Sequence, residues 1–109
     1  MKFHISIEEA MQRLDKEVQN RFTVLMKHGT MSIEYYAPEN NDLQTPHQQD
    51  EIYIIASGNS IFFQNDERVP CKPGDILFVP ALMEHRFENF SDDFATWVIF
   101  YGKEGGEAS

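Results

Sequence analysis

Cysteine is almost missing from this chain: Cys71 is the only one in 109 residues. No intrachain disulfide can form, and a reducing cytoplasm is the expected compartment. Basic clusters are missing too. Nine Lys and Arg are scattered against eighteen Asp and Glu, for a formal net charge of −9. Nucleic acids and anionic membranes need a basic footprint, so neither is expected as a partner. Long apolar runs are also absent. No charge-free stretch has the length of a membrane helix, and residues 1–6 lack the apolar centre of a secretion signal. The acidic balance reads as solubility.

What is present fits one small domain. Ser6 followed by Glu9 is a capping-box pattern. Ile7, Ala10, Met11, Leu14 and Val18 share a helical face, which predicts a short amphipathic helix over 7–18. From Arg21 onward the period changes. Strands are predicted at 22–26, 31–36, 51–56, 60–63, 68–69, 76–79, 85–88 and 95–101, separated by Gly, Pro, Asn and Asp turns. Many short strands with close turns indicate an all-β sandwich or barrel. The expected organisation is a helical segment over 1–20, a β-barrel over 21–102 and a flexible tail over 103–109. Strands 52–55, 76–79 and 97–101 are apolar on both parities, so their outer face needs a cover. The helix supplies part of it, and a second copy in a homodimer is the expected source of the rest.

Two segments place metal-binding groups beside these strands. His47, Gln49 and Glu51 share a parity if 47–51 is extended, and Glu51 inward turns Tyr53 inward as well. His85 arrives from a strand over thirty residues later, with Phe87 on its face. Asp50 and Arg86 have the opposite parity and are expected to face outward. Two imidazoles and a carboxylate with open positions suit Fe, Mn, Ni, Cu or Zn. The alternative is a metal-free hydrogen-bonded cluster of the same side chains. Protons compete with a cation for imidazole, so binding is expected to weaken below about pH 6. His4 and His28 fall outside this pattern as surface groups. Cys71, Tyr35, Phe62, Phe63 and Trp97 read as packing.

These segments resemble the two motifs of the cupins. The first cupin motif runs Gly, five residues, His-x-His, three or four residues, Glu, six residues, Gly. Glu51 and Gly58 match its second half. His47 takes either histidine position. As the second, it leaves Thr45 at the first and Glu39 at the leading glycine. As the first, it leaves Gln49 at the second and Asn41 at the glycine. Both alignments stand. The second motif runs Gly, five residues, Pro-x-Gly, two residues, His, three residues, Asn. Gly74, Pro80, His85 and Asn89 fall in place, and only Leu82 departs, at the inner glycine.

The resemblance implies a jelly-roll (double-stranded β-helix) barrel holding a divalent transition metal through His47, Glu51, His85 and Gln49 or Thr45, with Tyr53 and Phe87 lining the pocket. It implies a metal-dependent enzyme of oxygenase or isomerase type acting on a small organic molecule. The alternative is a non-catalytic module that binds or senses a sugar or organic acid.

Overall fold

The computed structural model describes residues 3–17, 21–42 and 44–108. Ser6 begins the helix: its Oγ accepts the Glu9 amide at 3.1 Å, as the capping pattern requires. Helix α1 spans Ile7–Asp15 and buries Ala10 and Leu14. Met11, expected on the buried stripe, is 52% exposed. Val18, the last member of that stripe, lies outside the described residues.

Eight strands follow among the described residues: β1 Phe22–His28, β2 Met31–Tyr36, β3 Asp50–Ser57, β4 Ser60–Gln64, β5 Glu67–Cys71, β6 Ile76–Val79, β7 His85–Glu88 and β8 Ala95–Tyr101. They form two antiparallel sheets, β1-β2-β8-β3-β6 and β5-β4-β7. Among the described residues the fold is an antiparallel β-barrel with one short helix, as expected. The chain passes from β3 to β4, and so from one sheet to the other, through Gly58 at φ 71°.

Register decides what faces inward. Glu51 lies opposite Phe100 and Val79, and Tyr53 opposite Val98 and Leu77. On the next strand, Ser32 and Glu34 lie opposite Phe100 and Val98. These share the inner face by the two-residue period of a strand. Tyr53, Ile55, Phe62, Val79, Phe87, Phe94 and Val98 form the core between the sheets. A second core forms outside the larger sheet, where Ala10 and Leu14 of α1 meet Leu25, Tyr35 and Ala95. Tyr35 and Trp97 pack edge to face there, at 5.2 Å between centroids. Cys71 is buried, with its thiol against the Ser60 carbonyl, and serves packing.

Two expectations need correction. Asp50 has the parity opposite to Glu51 but is buried, not outward-facing. Its carboxylate accepts the Ala81 amide at 2.9 Å and the Glu107 amide at 2.8 Å. The segment after β8, expected to be a flexible tail, is therefore held down. Gly105 adds a bond to the Gln48 carbonyl at 2.7 Å. Four unpaired backbone groups in the loop and tail find partners this way, which is why the segment docks.

No helix among the described residues is long and apolar enough to cross a membrane.

Candidate metal centre

Glu51 on β3 and His85 on β7 belong to different sheets, and they meet because both point into the barrel. His47 reaches them from the loop ahead of β3. One carboxylate oxygen, Oε1 of Glu51, is the meeting point. It lies 3.0 Å from His47 Nδ1 and 2.9 Å from His85 Nε2. All three ligand atoms lie within 4.8 Å of one another. Donors each about 2.1 Å from one cation sit roughly 3.0–3.4 Å apart, so the two nitrogen–oxygen spacings are close to those a first-row metal needs.

The surroundings of His85 sharpen this. Its Nδ1 is 2.8 Å from the Met83 carbonyl, which can only accept, so Nδ1 carries the hydrogen. A neutral ring then presents the Nε2 lone pair to a carboxylate oxygen at 2.9 Å. Two lone pairs at that distance repel unless a proton or a cation lies between them. Neither His85 Nε2 nor Glu51 Oε2 has a well-aligned hydrogen-bond partner among the described residues, and both are buried. Buried polar atoms without partners are costly, and a metal relieves that cost.

The titrations follow the same logic. Burial acts to raise the Glu51 carboxyl, but the close imidazoles of His47 and His85 outweigh it and hold the pKa below the ordinary value. Burial acts to lower His85, but Glu51 and the Met83 carbonyl outweigh it and raise the imidazole.

The remaining candidates are placed as follows. Tyr53 and Phe87 are buried beneath the cluster, with ring centroids 4.9 Å apart, and Tyr53 lies 6.1 Å from the His85 ring. Gln49 goes elsewhere. Its Nε2 donates to the Thr30 and Gly102 carbonyls, both at 2.8 Å. The shared parity of His47, Gln49 and Glu51 required an extended segment, but β3 begins only at Asp50 and residues 48–49 bend. Thr45 is exposed. The structure thus brings His47, Glu51 and His85 together and leaves neither Gln49 nor Thr45 among them.

Sequence reasoning missed three inner-wall groups. Gln44 accepts the Tyr53 hydroxyl at 2.9 Å and donates to Asp42 at 2.8 Å. Asp42 also accepts the Phe87 amide at 2.8 Å and the Tyr36 hydroxyl. Glu34 is half-buried on β2. The alternation Ser32, Glu34, Tyr36 was the available signal for the last. Two cavities open beside His47, of about 560 and 610 Å³, and Glu34, His47 and Phe100 form the wall common to both.

The motif turns also have their backbone explained. Gly58, Gly74 and Asn89 adopt positive φ. Leu82, at the position where the motif has glycine, keeps the left-handed backbone at φ 69°.

The family described as "Cupin domain" matches residues 32–101. An uncharacterized protein of Streptomyces coelicolor, SCO3923, is 32% identical over 77 residues, covering 69% of this chain and 73% of that protein. Solved structures share the fold. A protein of unknown function from Rhizobium leguminosarum superposes at TM-score 0.74 with 22% identity, over 94% of this chain and 100% of that one. The plu4264 protein of Photorhabdus luminescens gives 0.71 with 22% identity, over 94% and 90%. The DMSP lyase DddQ of Ruegeria pomeroyi gives 0.64 with 21% identity, over 74% of this chain and 46% of that one.

Proposed function

Taking as premise that the chain belongs to the cupin family, we propose that it is a metal-dependent enzyme acting on a small organic substrate. The observation that carries this reading is the convergence of His47 Nδ1 and His85 Nε2 on one oxygen of Glu51, with two of the cluster's buried atoms lacking partners. A divalent cation held there supplies Lewis acidity toward a substrate oxygen or, as iron, a seat for O₂ chemistry. The chain's own residues do the rest. The Met83 carbonyl fixes the His85 tautomer, so that Nε2 is the ligating atom. Phe100 packs on the His47 ring at 4.9 Å and limits its rotation. Tyr53, Phe62 and Phe87 close the floor beneath His85 against water. The cavities beside His47 supply the substrate's entry. Lyase chemistry on the same fold, as named for DddQ, is compatible with this plan.

The test is elemental analysis of protein purified without chelators, followed by turnover assays with the loaded protein. About one metal per chain is expected in the wild type and none in His85→Ala. Unchanged metal in the variant removes His85 from the ligand set. Saturable ligand binding with no turnover under any metal replaces the enzyme with a binding module.

A further inference from the structure

The inner wall holds four acidic or phenolic groups besides Glu51: Glu34, Tyr36, Asp42 and Tyr53. Three are committed. The Tyr36 hydroxyl donates to Asp42, Asp42 also accepts the Phe87 amide, and the Tyr53 hydroxyl donates to Gln44. Glu34 makes no hydrogen bond or ion pair among the described residues. It lies on the wall shared by both cavities, beside His47. A half-buried cavity-wall carboxylate with no hydrogen-bond or ion-pair partner among the described residues is one that a ligand can use.

The two cavities differ in charge. In one, Arg21 is neutralised by Glu39 at 3.1 Å. The other carries Lys27 and Lys103, neither in an ion pair among the described residues, against Glu104 and the shared Glu34, together with the Ser32 hydroxyl, whose oxygen is buried without a partner. With two lysines against two glutamates, where the other cavity has one arginine against two, this is the less acidic side of the mouth and the one suited to a carboxylate.

We propose that Glu34 is the catalytic base of this site, exchanging a proton with the carbon beside the carbonyl of a small oxo acid whose carboxylate lies toward Lys27 and Lys103. This rests on the metal-dependent reading above and selects its isomerase branch. The step balances without a redox partner. Glu34 takes a proton from the carbon. The C–H electron pair becomes the carbon–carbon π bond of an enolate, and the carbonyl π pair moves to oxygen. Return of the proton from Glu34 to the same carbon restores the carbonyl and completes exchange. Where the oxo acid carries a carbon–carbon double bond next to that carbon, the enolate extends to a dienolate, and return of the proton to its far carbon restores the carbonyl, shifts the double bond and completes isomerisation.

Zinc-loaded protein in D₂O, with 2-oxobutyrate as the probe and proton NMR as the readout, tests this. The wild type is expected to replace one of the two C3 hydrogens selectively, faster than buffer containing the same zinc. Glu34→Gln should slow this by about 100-fold or more, the usual range for a lost general base. Its zinc content and its dissociation constant for 2-oxobutyrate should not change, and Glu34→Asp should recover part of the rate. Lys27→Ala should weaken 2-oxobutyrate binding and leave zinc content unchanged. Three results overturn the proposal: wild-type exchange no faster than zinc in buffer, Glu34→Gln exchanging at the wild-type rate, or Glu34→Gln losing its zinc, which would make Glu34 a ligand. The wild-type zinc content is read separately, so failure of the metal site itself is distinguishable from failure of this proposal.

Discussion

Leu82 donates its backbone amide to the carbonyl of His47 at 2.7 Å. The turn of the second motif thereby holds the candidate ligand of the first. It does so with a leucine at φ 69°, where the motif carries glycine. A non-glycine side chain in the left-handed region costs about 1–2 kcal/mol. Glycine loses roughly 0.5–1 kcal/mol more backbone entropy on folding than alanine does. Leu82 is also 57% exposed, so little packing is lost when it is removed. Leu82→Gly is therefore expected to raise stability, by up to about 1 kcal/mol. Leu82→Val adds β-branching at positive φ and should lower it. Urea unfolding of both variants checks the sign, and a less stable Leu82→Gly would mean the left-handed turn is unstrained.

Gly58 has no such latitude. A Cβ there would fall against the Ser91 side chain and 2.7 Å from the Phe94 Cα, at a φ of 71°. Clash and backbone conformation act together. Gly58→Ala should cost more than about 2 kcal/mol, from the left-handed penalty plus overpacking. A midpoint within experimental error of the wild type in urea would contradict the close approach of the β3–β4 turn to the loop before β8.

The Glu51–His85 pair sets a pH window for the metal-free protein. His85 is raised above 6.5, so its contribution is complete below that pH and is lost as pH rises through the raised value. Glu51 is lowered below 4.5, so its contribution is present above that pH and is lost as pH falls through the lowered value. From this pair, stability should be greatest between about pH 4.5 and 6.5 and decline on both sides. A cation needs the Nε2 lone pair, so the gain in Tm on adding metal should grow as pH rises above that window. Thermal unfolding with and without zinc from pH 5 to 8 measures both trends. A metal-induced gain independent of pH would remove His85 from the site.

The outer face of β3 and β6 is left uncovered by the helix. Ile76 is 68% and Phe78 50% exposed, beside the half-buried Ile52 and Ile54. The occupant we propose is a second copy of the chain, since an apolar strip on a sheet edge is the surface that soluble proteins pair or protect. Sedimentation at micromolar concentration should give a dimer, and Phe78→Glu should give a monomer with unchanged secondary structure. A monomeric wild type would refute the pairing.

Much of this was written in local pattern. The eight strands follow from apolar runs between turns, and the helix start from Ser6 and Glu9. His85 and Phe87 were readable as inward by parity because β7 is a regular strand. The same parity rule failed at Gln49, where the chain bends before β3 and parity has no meaning. It failed differently at Asp50. Parity does not report the chain that buries it, which comes from more than fifty residues away.

The residue order alone therefore determined the strands, the turns and the supply of two imidazoles and one carboxylate, because these depend on neighbours along the chain. Only the closed barrel decided that Glu51 and His85 share a 2.9 Å contact across two sheets, that Gln49 turns to backbone carbonyls, and that Glu34 stands beside His47 without a hydrogen bond. Strand pairing between distant segments sets those distances, and no local periodicity encodes which strands become neighbours.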